Sequence, residues 1–107
     1  MALFAQLTIT EAGRPDRCIA LPDTATIGRD SDNDIVLESI TVSRCHALLI
    51  RDVADLLLFD LESSNGTLVN GRAARLDEPV RLIDGDVIRL GLVLARYHTL
   101  NLRYEDI

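Results

Sequence analysis

Lysine is absent from the 107 residues, and cysteine occurs only twice. Cys18 and Cys45 make one disulfide arithmetically possible, but two cysteines build neither a disulfide framework nor a zinc site. A reducing, cytoplasmic setting is therefore expected. Long apolar runs are missing too. Leu90–Ala95 falls far short of the ~18 residues that a membrane-spanning helix requires. The opening stretch Met1–Thr8 has no basic segment ahead of an apolar run, so it does not read as a secretory signal. Positive charge is in deficit: 17 acidic against 11 basic side chains give a net charge of −6. That balance argues against general binding of nucleic acid or an anionic membrane, which requires a basic face. It leaves room for a local anion site. Helical periodicity is also lacking, since no segment carries a 3.6-residue apolar stripe over three turns. There is no internal repeat, low-complexity stretch or linker.

The composition that remains is that of a globular protein, 48% hydrophobic and 26% charged, and it argues against whole-chain disorder. The length suits one domain over residues 1–107. Because lysine is absent, every cation is arginine. Composition bias accounts for that first, although arginine is also the side chain suited to bidentate phosphate recognition.

Period-2 alternation dominates the chain. Ala5, Leu7 and Ile9 alternate with Gln6, Thr8 and Thr10, the mark of a half-buried strand. Further short strands are expected at 17–21, 25–28, 35–37, 47–52, 56–61, 67–69, 72–75, 80–82, 86–90 and 97–104. In the last of these, His98 is in phase with Leu100 and Leu102 and reads as structural, while Tyr104 continues the same face. Asn70-Gly71 is a strong hairpin-turn dipeptide. Many short strands punctuated by Gly, Pro, Asn and Asp predict an all-β, eleven-stranded antiparallel β-sandwich.

Several polar groups fall in the breaks between these strands. Asp30, Asp32 and Asp34 invite a calcium reading, but an EF-hand loop requires glycine at position 35 and glutamate at position 41, where the chain has Ile35 and Thr41. A hydrolase could be imagined from Ser43, His46 and an aspartate, but no nucleophile-elbow glycines surround Ser43. Neither a metal nor a cofactor is expected. Taken singly, Arg29 reads as a solvated strand-end arginine and Ser64-Asn65-Gly66 as an ordinary turn. His46, beside an apolar strand, reads as a buried structural histidine.

Four short motifs occur in order: Gly28-Arg29, Ser43-Arg44-Cys45-His46, Ser63-Ser64-Asn65-Gly66-Thr67 and Val69-Asn70-Gly71. Together, each between strands, they resemble the forkhead-associated (FHA) family signature G-R, S-x-x-H, S-x-N-G-T and V-N-G, over a core of residues 26–91. The resemblance implies a non-enzymatic module that binds a phosphothreonine-containing protein or peptide in Ser/Thr kinase signalling. It also implies residue roles. Arg29 and Ser43 contact the phosphate, joined by Arg44 and Ser64, and Asn65 holds the peptide main chain. Thr41 helps read the side chain three residues after the phosphothreonine. Gly28, His46, Gly66, Thr67 and Asn70 support the loops. Many bacterial members carry a basic residue where Cys45 stands; strand alternation could aim Cys45 inward. A degenerate member of the family, serving only structure or oligomerisation, is the alternative. Partner, kinase and oligomeric state are not encoded in any motif.

Phosphothreonine carries about −1.5 to −2 charge and three acceptor oxygens near neutral pH. A guanidinium fork with hydroxyl and backbone N–H donors is the matching chemistry, and loops on a rigid sheet scaffold can present it.

Overall fold

Alternating apolar residues and frequent turn formers produce strands and no helices in the computed structural model, which describes residues 2–102. Eleven strands follow one another: β1 (Ala2–Thr10), β2 (Arg17–Ala20), β3 (Thr24–Gly28), β4 (Ile35–Val36), β5 (Ala47–Asp52), β6 (Asp55–Asp60), β7 (Thr67–Val69), β8 (Arg72–Ala73), β9 (Val80–Arg81), β10 (Val87–Leu90) and β11 (Val93–Leu102). They form a six-stranded sheet, β2-β1-β11-β10-β7-β8, and a five-stranded sheet, β4-β3-β5-β6-β9. Pairing is antiparallel except between β3 and β4, which run parallel.

The inward halves of the alternating strands form one core cluster between the sheets. Leu7 and Ile9 of β1, Ile27 of β3, Leu49 of β5, Leu56 and Leu58 of β6, Ile88 and Leu90 of β10, and Tyr97 of β11 are all buried in it. The strand-by-strand reading of the sequence holds, with two differences in β11. This strand begins at Val93 rather than at 97, because the turn before it is only Gly91-Leu92 and carries no polar signal. Its buried face is that of Val93, Ala95 and Tyr97, so His98 and Leu100 share the outer face, His98 half-buried and Leu100 58% exposed. The phase of the alternation was legible; His98, read as structural, lies half-buried on the outer face. Tyr104 lies outside the described residues.

Register fixes which loops share an end. Gly28, the start of β5 and the end of β6 lie together, because Ile27 pairs with Ala47 and Ala47 with Asp60. In the other sheet Leu90 pairs with Thr67, which places the Gly91-Leu92 turn at the same end. A hydrogen bond from Gly91 N–H to Gly66 C=O (3.2 Å) and one from Leu92 N–H to Thr41 Oγ1 (3.0 Å) bind the two sheets there. The loops 29–34, 37–46, 61–66 and 91–92 therefore converge. The turns at 53–54, 70–71 and 82–86 lie at the far end. β1 and β11 pair over their whole length at the centre of the six-stranded sheet, from Ala2–Leu102 to Thr10–Leu94.

The Asn70-Gly71 turn has left-handed φ at both positions (51° and 85°), the geometry a two-residue hairpin demands. Asn70 also donates from Nδ2 to Asp86 Oδ1 (2.8 Å) and accepts the Val87 N–H on Oδ1 (2.9 Å). It braces the far end of the sandwich.

Candidate functional site

The site begins where β3 ends. A Cβ on Gly28 would fall 2.1 Å from the Arg44 carbonyl oxygen, so only glycine allows the two main chains to touch here. That approach lets Arg29 N–H donate to Ser43 C=O (3.0 Å) and Asp30 N–H to Arg44 C=O (3.2 Å). Asn33 closes the loop by donating from Nδ2 to both Arg44 C=O (2.7 Å) and Asp30 C=O (2.9 Å). The Arg29 side chain is exposed, and its Nε donates to Val42 C=O (3.0 Å). One edge of the guanidinium is thereby fixed. Its two terminal amino groups have no partner among the described residues, so they remain available to an incoming anion.

Ser43 lies beside Arg29, and its Oγ accepts the Ser64 N–H (3.0 Å). A hydroxyl that accepts in this way still has its proton to donate. The exposed Ser64 hydroxyl has no protein partner among the described residues, so three donors (Arg29, Ser43 and Ser64) converge on one patch.

His46 is fully buried beneath them. Its Nδ1 accepts the Ser43 main-chain N–H (3.0 Å), which leaves the proton on Nε2 to be donated to Gly66 C=O (3.0 Å). Both nitrogens are thus engaged in joining the β4–β5 loop to the β6–β7 loop. His46 meets the backbone of Ser43 and not its hydroxyl, so the nucleophile–base pair of a serine hydrolase is not formed.

Asn65 is exposed, and its Nδ2 donates to Thr41 C=O (2.7 Å). Its Oδ1 and second amide hydrogen remain free, one acceptor and one donor, which is the pair a peptide main chain requires. The Thr41 hydroxyl is engaged with Ser39 Oγ (2.7 Å) and Leu92 N–H, so Thr41 acts as a brace at the rim of the site. Beneath the β6–β7 loop sits a residue that the sequence did not single out. Buried Asp60 accepts from Ser63 N–H (3.0 Å), Ser63 Oγ (2.6 Å) and Thr67 Oγ1 (2.7 Å), and Ser63 Oγ in turn accepts the Gly66 N–H (2.9 Å). Thr67, 1% exposed, is thereby tied to Asp60 under the loop. Asn70, at the far end, does not join this group.

Arg44 and Cys45 are both exposed. Alternation could have turned Cys45 inward, but residue 45 belongs to the loop ahead of β5, where the pleat does not apply, and the side chain faces solvent. Of the three loop aspartates, Asp34 accepts on Oδ2 from Thr26 N–H (2.8 Å) and Thr26 Oγ1 (3.2 Å), clamping the Arg29 loop.

Comparison with known proteins agrees with this geometry. The family model for the FHA domain matches residues 25–91. The chain is 47% identical over 64 residues to the transcriptional regulatory protein EmbR of Mycobacterium tuberculosis, covering 60% of this chain and 16% of that protein. It is 44% identical over 70 residues to an ABC transporter ATP-binding/permease protein of the same organism, covering 65% of this chain and 8% of that one. The chain therefore spans less than a fifth of the length of these relatives. Among solved structures, EmbR in complex with a low-affinity phosphopeptide superposes with a TM-score of 0.77 at 36% identity, over 89% of this chain and 24% of that one. A structure from an analysis of phosphothreonine-dependent FHA domain interactions gives a TM-score of 0.82 at 33% identity, over 92% of this chain and 99% of that one.

Proposed function

This chain belongs to the FHA domain family, and from that premise we propose that its loop end binds a phosphothreonine-containing segment of a partner protein in Ser/Thr kinase signalling. The observation that carries the proposal is the pre-aimed, unpaired end of the Arg29 guanidinium beside the free hydroxyl protons of Ser43 and Ser64. Arg29, Ser43 and Ser64 hold the phosphate oxygens, Arg44 adds positive potential from the same loop, and Asn65 grips the peptide main chain. Charge-assisted bonds of this kind contribute about 1.5–3 kcal/mol each in favourable settings. An unphosphorylated threonine leaves these donors without their anion, so the phosphate decides binding.

The role is that of a non-catalytic adaptor. It is supported by the engagement of both His46 nitrogens in loop bracing and by relatives such as the oxoglutarate dehydrogenase inhibitor of Corynebacterium diphtheriae, which is 41% identical over 68 residues. Among the described residues no helix is long and apolar enough to cross a membrane, and a cytoplasmic location is part of the proposal. The filled phosphate positions argue against a degenerate, purely structural member.

The test is calorimetric titration with peptides selected from an oriented phosphothreonine library, each compared with its unphosphorylated form. Saturable binding of the phosphorylated form alone supports the reading. Equal binding of both forms, or of neither, overturns it.

A further inference from the structure

Asn-Gly occurs twice in the chain, at Asn65-Gly66 and at Asn70-Gly71, and the fold holds the two amides differently. An asparagine before glycine is prone to deamidation, because a residue without a side chain leaves its main-chain nitrogen unscreened beside the preceding amide carbon. At Asn70 both amide atoms are pinned to the start of β10. Nδ2 donates to Asp86 Oδ1 (2.8 Å), and Oδ1 accepts the Val87 N–H (2.9 Å). Cyclisation onto the Gly71 nitrogen has to break both bonds. Asn65 is exposed, and only its Nδ2 is held, by Thr41 C=O (2.7 Å). Its Oδ1 has no protein partner among the described residues, so water can stabilise an oxyanion formed there.

The attacking nitrogen is set up too. Gly66 N–H donates to Ser63 Oγ (2.9 Å), and Ser63 Oγ donates to Asp60 Oδ1 (2.6 Å). The amide proton thus heads a chain that ends on a buried carboxylate, which draws it away from the nitrogen. A Cβ on Gly66 would meet nothing within 4 Å, so the rest of the fold does not crowd this position. We propose that Asn65 is a modification site: in the empty domain it deamidates, and the product no longer grips a peptide. Gly66 N bonds to Asn65 Cγ, the Cγ–Nδ2 bond breaks, and the proton lost from Gly66 N is balanced by the one that leaves with the amide as ammonia. One water then opens the succinimide. Its attack at Cγ gives an aspartate, and its attack at the main-chain carbonyl gives an isoaspartate with one more carbon in the main chain. Either product loses the amide that donates to Thr41 C=O and adds negative charge beside the phosphate position. A bound peptide main chain occupies the free amide atoms and pins Asn65 as Asn70 is pinned. These consequences for binding rest on the phosphopeptide reading above; the deamidation itself does not.

Peptide mapping by mass spectrometry tests the reaction on the purified chain, held in mildly alkaline buffer and sampled over days. The mass gain of amide-to-acid conversion is expected at Asn65 at least about tenfold faster than at Asn70, as the firmer hold on Asn70 requires. An unmodified Asn65, or a rate at Asn70 equal to or above it, overturns the proposal. Saturation with a selected phosphothreonine peptide should slow the reaction at Asn65, and an undiminished rate overturns its confinement to the empty site. The Asn65→Asp variant should bind that peptide about tenfold less tightly than the wild type. Equal affinities overturn the loss of grip. If no phosphothreonine peptide binds the wild type while Asn65 still deamidates, the phosphate reading fails and the modification site stands. The mapping uses the wild type alone, so it decides whether or not the variant folds.

Discussion

Arg51 and Arg81 at the far end of the sandwich are used in the opposite way to Arg29 and Arg44 at the site end. At the far end Arg51 Nε lies 2.6 Å from Asp23, and the Arg81 guanidinium bridges Asp52 and Asp55 at 3.0 and 2.8 Å. The hydrogen bonds that Arg81 donates to Asp52 and then Asp55 hold its proton more tightly than usual. At the site end no carboxylate lies within 4 Å of Arg29 or Arg44 among the described residues, and the carboxylates that brace these loops, Asp34 and Asp60, accept from main-chain N–H and hydroxyl groups instead of from arginine, alongside the Asn33, His46 and Asn65 side chains. These bonds give the loops shape without pairing Arg29 or Arg44 with a carboxylate. A chain with a net charge of −6 thereby keeps positive charge available where an anion arrives.

Substitutions at the two ends should separate these uses. The largest effect is expected for His46→Ala, which empties a buried site and leaves the Ser43 N–H and Gly66 C=O without partners. A stability loss of about 3 kcal/mol in chemical denaturation, accompanied by weaker phosphopeptide binding, is the expected outcome. Binding lost with an unchanged melting temperature would show that His46 is not a brace. Arg29→Ala comes next, costing phosphopeptide affinity about 2 kcal/mol, or roughly thirtyfold, with little change in melting. Equal affinities for mutant and wild type in titration would remove Arg29 from the site. Asp60→Ala should lower stability by about 1–2 kcal/mol and weaken binding by a smaller factor, since it frees the loop rather than the phosphate contact. Hydrogen exchange confined to residues 61–66 is the measurement that checks it. Arg81→Ala is the smallest: a slightly lower melting temperature and no change in phosphopeptide affinity. A binding defect in Arg81→Ala would erase the distinction between the two ends.

Most of the scaffold could be read along the chain because alternation and turn residues are local signals. Asn70-Gly71 announced its own hairpin, and Arg29, Ser43, Ser64 and Asn65 were reached through motif spacing. The parts that stayed hidden depend on contacts distant in sequence. Asp60 drew no notice along the chain, because its partner Thr67 lies in the next strand. Thr41 meets the Leu92 N–H across 51 residues, an encounter no window of sequence displays. Alternation told that His98 and Leu100 share a face, but the face itself was decided by Ala95 and Tyr97 filling the core.

The pairing of β1 with β11 sets how such a domain can be carried. Ala2 and Leu102 are direct partners, so the two strand ends lie side by side at the end opposite Arg29. Adjacent strands stand about 5 Å apart. A host polypeptide can therefore receive the domain within one of its own surface loops, entering and leaving through a gap hardly wider than a hairpin, with the loops around Arg29 pointing outward. For the same reason, joining those ends by a short linker and opening the chain in the exposed turn at 12–16 should give a circular permutant that still folds.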